Sequence, residues 1–248
     1  MRSNTHHEPC ATAPHMKLAI MQPYLFPYIG YFQLVAAVDK FVFYDDVNFI
    51  KNGWINRNRL LLAGEVRYLT VPLRAASPFL KINQIATQGS GPWQKKMAES
   101  LRHSYRKAPY FEQVNAIFSD VIFSEPHSIA EMARNSVLSI ARYLCLDTDF
   151  VLSSAVYVNA HLHSAERVID ICVAEQASHY YNLPGGRQLY DGAAFARHGI
   201  DLRFIETSIA PYRQATAVFQ PGLSMLDVLM FNDVATVNAM LSDVAAKR

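Results

Sequence analysis

Residues 17–31 read KLAIMQPYLFPYIGY, and the way they are divided decides the fold. Lys17 to Met21 has the length and apolar content of a buried strand, whereas Gln22 to Tyr31 carries two prolines, one glycine and three tyrosines. From Pro27 the apolar spacing turns helical, through Ile29, Phe32, Val35 and Ala36. The chain thus leaves a strand, turns sharply and enters a helix. In open α/β sheets such turns sit at the carboxyl ends of the strands, where ligands bind. Gly30, near the helix start, would let a ligand approach the backbone, and the free N–H groups there favour an anion. Gln22, Tyr24, Tyr28 and Gly30 are the first candidate binding residues. A proline-rich turn with aromatic packing explains the same residues equally well.

Outward from this unit, Asp39–Asp46 (DKFVFYDD) reads as a second buried strand and Val66–Pro72 as a third, with a short edge strand expected over Phe79–Ile85. The middle is helical over Trp93–Arg106, Tyr110–Phe123 and Ser128–Leu146, broken at Pro109 and Pro126. Strand character returns at Phe150–Val156, His179–Leu183 and Asp201–Ile205, and helices are expected at Ser164–Ala177, Gln188–Arg197, Ser224–Met230 and from Val234 to about Val244. Strands that alternate with helices predict an α/β fold: a mostly parallel sheet with helices on both faces. Residues 17–248 form one α/β domain in this reading, with a helical insertion or subdomain at 92–146, behind a disordered extension over 1–16.

The composition, 51% hydrophobic and 18% charged, is that of a packed globular chain. No apolar run reaches the roughly 20 residues of a membrane span, and the first fifteen residues lack the pattern of a signal peptide, so a soluble cytoplasmic protein without membrane partners is expected. Cys10, Cys145 and Cys172 are too few and too scattered for a disulfide framework or a zinc site, and reduced, mostly buried thiols are expected. The charge is asymmetric. Between Val47 and Phe111 eleven Lys and Arg stand against Glu65 and Glu99, a local balance of +9 in a chain of net +2. An anionic partner is implied, against the plainer reading of a solvated basic face.

Three polar clusters are candidates for the site. Asp45 and Asp46 end the second strand at the same sheet edge as the opening turn, and are the catalytic candidates. Adjacent strand residues point to opposite faces, so one of them is expected to enter the crevice. Beyond them, Lys51, Trp54, Asn56, Arg57, Asn58 and Arg59 combine a stacking face with amides and guanidinium groups suited to phosphate or carboxylate, and Arg57 or Arg59 is expected to hold an aspartate ionised. A loop of salt bridges and turn-forming asparagines is the competing reading. The third cluster is Tyr181, Asn182, Gly185 and Gly186, a glycine turn after a strand, followed by Tyr190 on the next helix. Tyr212 and Gln214 are further polar residues hard to assign to a core, and Ser224 with Asp227 fits a capping box better than a catalytic pair. Walker and GxGxxG sequences are absent. The histidines have no metal-site spacing, so no metal is expected; His103 and His179 are the two best placed to meet a ligand.

Together, QPYLFPYIGYF from Gln22, YDD at Tyr44–Asp46, WINRNR from Trp54, VP at Val71–Pro72, the Trp93–Tyr105 helix, YNLPGG from Tyr181 and LSMLDVLMFN from Leu223 resemble the WbqC-like family. The resemblance runs from Lys17 to about Asp233; where relatives tend to carry a glycine after the final asparagine, this chain has Asp233. It implies a role near bacterial surface polysaccharide biosynthesis and amino-sugar modification, and it assigns no catalytic residue. At the level of fold, a strand turning through a Pro- and Gly-containing loop into a helix also resembles the nucleotidyltransferase-type fold of pantothenate synthetase and class I synthetases. The histidine signature of that superfamily is missing, so the likeness concerns fold and not site.

These readings converge on a transferase that passes an acyl or aminoacyl group to the amine of a nucleotide-linked amino sugar, with ATP or a nucleotide sugar as substrate and no cofactor identified. Asp45 or Asp46 would orient the amine, Arg57 and Arg59 would bind phosphate, and Tyr24 or Tyr28 would pack on sugar or base. Two other classes fit as well: a nucleic-acid (tRNA) binder using the basic 47–111 segment, and a non-catalytic scaffold of polysaccharide assembly. The sequence leaves the oligomeric state open.

Overall fold

The computed structural model describes residues 15–247. The extension expected over 1–16 therefore lies, except for its last two residues, outside the described residues, as do His6, His7 and Cys10. The first strand and helix fall where the opening segment places them: β1 is Lys17–Met21 and α1 is Ile29–Ala36. Four more strands run parallel to β1: β2 (Lys40–Phe43), β5 (Asp149–Val151), β6 (His179–Asn182) and β7 (Asp201–Glu206). A sixth, β8 (Ala245–Lys247), closes the edge antiparallel to β7, giving the order β5-β2-β1-β6-β7-β8.

Alternation along the strands divides the apolar residues between two faces. Ala19, Phe41, Phe43, Tyr181 and Ile205 belong to one cluster, with α1, the middle helices α2 (Pro92–Tyr105), α3 (Phe111–Ile122) and α4 (Ile129–Tyr143), and the late helices α7 (Met225–Phe231) and α8 (Val234–Ser242). Leu18, Ile20, Val42, Tyr180, Leu202 and Phe204 belong to the other, with α5 (Ser164–Ala174) and Phe195 of α6 (Gly192–Ala196). Helices thus cover both faces, and the 92–146 stretch shares the sheet's own core. Helix α1 is buried from Ile29 through Val35, so it is apolar nearly all round instead of striped.

Several sequence expectations are corrected. Arg57–Leu62 is a strand, β3, that forms a hairpin with β4 (Glu65–Thr70) outside the main sheet, with Arg59 opposite Tyr68. Its Arg and Asn content hides strand character, which here comes from pairing and from the burial of Leu60 and Leu61. The edge strand expected at Phe79–Ile85 is instead a short 3-10 turn, Ile82–Gln84, held by Ile82 N–H to the Val47 carbonyl (2.9 Å) and Asn83 N–H to that of Asp45 (3.0 Å). The strand expected at Phe150–Val156 stops at Val151, where Ser153 caps a 3-10 turn over Ser154–Tyr157. Of the two described cysteines, both free, Cys172 is buried and Cys145 is exposed.

The segment between β1 and α1 is irregular yet buried, so its backbone needs partners from elsewhere. Phe26 N–H donates to Ser136 Oγ of α4 (2.8 Å), its carbonyl accepts from Ser224 Oγ (2.7 Å), and the Leu25 carbonyl accepts from Asn58 Nδ2 (3.1 Å). Leu25 N–H reaches the Trp54 carbonyl (3.0 Å) and Met225 N–H the Pro27 carbonyl (2.8 Å). Phe26 itself has φ +42°, a left-handed conformation disfavoured for a bulky residue, which persists because both of its peptide groups are tied down. Replacing Ser136 by Ala should leave the Phe26 N–H unpaired in a dry interior and lower stability by about 1–3 kcal/mol. Urea denaturation would read this, with exposed Ser242→Ala as the control; equal midpoints for the two variants would refute the account.

Candidate functional site

Numbered in chain order, the five parallel strands lie 3-2-1-4-5, so the order reverses between β1 and β6. In an open α/β sheet that reversal leaves a crevice beyond the strands' carboxyl ends. A cavity of about 760 Å³ opens there. One wall is the opening turn, through Gln22, Tyr24, Pro27 and Tyr28. The glycine turn after β6 supplies Asn182, Gly185 and Gly186, and Tyr190 follows it. Tyr44 contributes from the end of β2, and the β3–β4 hairpin and the loop before it add Trp54, Asn58 and Arg59. Stretches separate in sequence therefore meet at one place.

Its electrostatics are uneven. Among the described residues lining the cavity, Arg59 carries the one charge and no carboxylate appears. Burial raises the phenols of Tyr24, Tyr28, Tyr44 and Tyr190 above the ordinary tyrosine value, so all four stay protonated at neutral pH and can donate hydrogen bonds. Asn182 is oriented by its own neighbours: Nδ2 donates to Tyr180 Oη (3.0 Å) and Oδ1 accepts from Leu183 N–H (2.7 Å). Gly186 packs so closely on the Asn182 amide that an added Cβ would fall 2.8 Å from Nδ2.

The aspartates go elsewhere. Asp46 Oδ2 accepts from Arg167 of α5 at 2.5 Å, and Ser154 Oγ donates to Oδ1. Arg167, 3% exposed, also donates from Nε to Asn159 Oδ1 (2.9 Å) and lies over the Tyr44 ring at 5.0 Å. Asp45 accepts from Ser153 Oγ (2.7 Å), and burial raises its carboxyl in spite of that bond. Neither lines the cavity; Tyr44, the residue before them, does. The expected partner, Arg57 or Arg59, is thus replaced by Arg167, which no spacing rule connects to Asp46, 121 positions away. Sequence reasoning also missed Arg167, and with it the cavity residues Tyr44 and Gly222.

Other candidates lie outside the cavity lining. Arg57 bonds the carbonyls of Gly53 (3.2 Å) and Asn52 and stacks 4.4 Å above the Tyr68 ring, outside the cavity lining. Asn56 Nδ2 ties the hairpin to the Val71 carbonyl (2.9 Å), Lys51 is exposed and Tyr181 is buried in the sheet. Gly30 is needed for packing: a Cβ there would meet Thr207 Cγ2 at 2.7 Å and the Tyr28 ring closer still. Tyr212 and Gln214 turn to Asp227, a fully buried carboxylate on α7. Asp227 accepts from Tyr105 Oη (2.7 Å), Tyr212 Oη (2.7 Å) and Gln214 Nε2 (3.1 Å). Ser224 caps α7 by accepting from Leu226 N–H (3.3 Å), so Asp227 is not its box partner. His179 begins β6, at the opposite strand end from the cavity, and His103 lies exposed on α2.

The family model for the WbqC-like protein family matches residues 22–239, and the chain belongs to that family. A protein of Mycobacterium tuberculosis, named only as uncharacterised, is 28% identical over 225 residues, covering 87% of this chain and 93% of that one. No solved structure matches the chain.

Removing one partner of a buried ion pair leaves the other uncompensated, so Arg167→Ala should lower stability by about 3–5 kcal/mol. Arg57→Ala, which removes a half-exposed stack and two bonds to loop carbonyls that water can replace, should lower it by about 1 kcal/mol or less. Chemical denaturation separates these, and a larger loss for Arg57→Ala would restore it as the structural cation. Asp227 supplies a pH test. Burial lifts its carboxyl above the ordinary 3.8 despite the donated hydrogen bonds. The folded state therefore holds this proton more tightly than the unfolded chain, a contribution present at low pH and lost as pH rises through the raised value. Wild-type stability measured relative to Asp227→Asn should decline with rising pH across that acidic window; an increase would contradict it.

Proposed function

We propose that this member of the WbqC-like family is a transferase that passes an acyl or aminoacyl group to the amine of a nucleotide-linked amino sugar, in bacterial surface polysaccharide biosynthesis. The amino sugar and its setting rest on the family resemblance. The observation that carries the ligand class is the switch-point cavity, whose lining among the described residues pairs one guanidinium with neutral donors and holds no carboxylate. Such a lining favours an anionic ligand with many acceptor oxygens, and its volume lies within the range of small-molecule sites. An acyl group that arrives activated makes the chain a transferase; activation by ATP in the same cavity makes it a ligase.

In the transfer, the amine nitrogen bonds to the carbonyl carbon, the leaving group departs with its bonding pair, and the surplus proton leaves the nitrogen for solvent or the departing group. Protonated phenols can stabilise the developing oxyanion, as fixed donors do at acyl-transfer sites. Asp45, held by Ser153 outside the lining, is not placed to orient the amine; Gln22, which lines the cavity, offers a neutral acceptor for it. Asp46 anchors Arg167 and through it the Tyr44 ring.

One observation favours a second reading. The outer face of α2 exposes Lys95, Lys96, Arg102, Arg106 and Lys107, the last two just past its end, a run of cations that suits a phosphate backbone. Backbone binding releases counterions and weakens steeply with salt, whereas a pocket ligand responds mildly.

A thermal-shift titration at two salt concentrations separates the two. A nucleotide-linked amino sugar at a hundredfold excess over its Kd should stabilise the wild type by about 2.7 kcal/mol. Arg59→Ala should lose that gain and Lys95→Ala/Lys96→Ala should keep it. A shift seen with tRNA alone, abolished by salt and by the lysine changes, would replace the transferase reading with the second.

A further inference from the structure

Trp54 is 37% exposed, yet it stands on a rigid base: its carbonyl is fixed by Leu25 N–H, and Ile55 beside it is fully buried. The indole borders the cavity, with the Arg59 guanidinium carbon 5.6 Å from its centroid and the Tyr68 ring 6.2 Å away at 36°. Arg59 is held on several sides. Its N–H donates to Asn58 Oδ1 (2.9 Å), its carbonyl accepts from Ser224 N–H (2.9 Å), and one terminal nitrogen donates to the Gly222 carbonyl (2.9 Å). Gly222 has φ +67°, and a Cβ there would lie 3.0 Å from that same nitrogen, so glycine is required both for the turn and for the guanidinium's place. The Arg59 Nε, by contrast, is buried and has no hydrogen-bond partner. A rigid guanidinium, one of whose donors has no partner in the chain, next to an indole that stays 37% exposed, can receive an acceptor and a flat ring together.

We propose that the cavity binds a nucleoside diphosphate group, with the diphosphate on Arg59 and the base stacked on the Trp54 indole. This rests on the anionic-ligand reading above and assigns the two ends of the ligand. Trp54 offers a broad apolar face with a single N–H, which suits a base; the end formed by Tyr44, Tyr190 and Asn182 offers hydroxyl and amide groups, which suit a sugar. Tyr68, half exposed beyond Trp54 and capped by Arg57, backs the indole and makes the β3–β4 hairpin the base-binding wall.

The chain has two tryptophans, so Trp93→Phe leaves Trp54 as its one indole reporter. In that background UDP, ADP and inorganic pyrophosphate would be titrated with two readouts, intrinsic fluorescence and melting temperature. Quenching by at least one nucleotide together with a raised melting temperature, and a rise without quenching for pyrophosphate, is the expected result. Trp54→Ala should weaken that nucleotide about ten- to hundredfold and leave pyrophosphate within about twofold, with Trp54→Phe in between. Nucleotides that stabilise no more than pyrophosphate and leave the fluorescence unchanged would overturn the stacking assignment while sparing the anion site. No shift from any of the three would overturn both.

Discussion

The hydrogen bonding of one irregular buried segment, residues 22–28, is the constraint from which the rest of the molecule follows. That segment has no ladder of its own, and its peptide groups are satisfied by Ser136 of α4, Asn58 of β3 and Ser224 ahead of α7. Each tie also fixes an element that surrounds the cavity. The helical stretch packs on the sheet, the hairpin stands beside the opening turn and the late helices close over it, because their polar side chains complete this backbone. A buried unpaired peptide group is expensive, so these connections specify position as well as contribute stability.

The cavity inherits its character from the same arrangement. The carboxylates nearest in sequence are drawn off it: Asp46 to Arg167, Asp45 to Ser153, and Asp227 to a cage of two tyrosines and a glutamine. What remains around the opening is one guanidinium among protonated phenols and amides. Burial produces both halves of this pattern, since it favours neutral phenols and tolerates carboxylates only with donors of their own. The +9 bias of the 47–111 segment is therefore divided. Arg59 faces the cavity, Arg57 braces the hairpin and the α2 cations face solvent.

Much of this was legible in the residues. The strand-turn-helix of Lys17–Tyr31, the glycine turn after His179–Leu183 and the spacing of the middle helices all rest on local periodicity and turn chemistry, which act within a few residues. Tyr28, Trp54, Asn58, Arg59, Asn182 and Gly186 were likewise marked by residue type. Strand β3 escaped notice because Arg57, Asn58 and Arg59 owe their extended form to the partner strand β4 and not to propensity. The role of Gly30 was misjudged for a similar reason: its neighbours in space, Thr207 and the Tyr28 ring, are invisible in a local window.

By itself the sequence determined the α/β class, the membership of a family whose motifs it carries, and the two turns that flank the switch point, because these depend on patterns written along the chain. Tertiary structure alone decided which polar residues share the cavity. The pairing of Asp46 with Arg167, the support of Arg59 by Gly222 and the placing of Trp54 against Tyr68 join positions separated by 121, 163 and 14 residues. Charge and hydrogen-bonding capacity are spent on whichever partner folding brings within about 3 Å, and only the packed chain sets that distance.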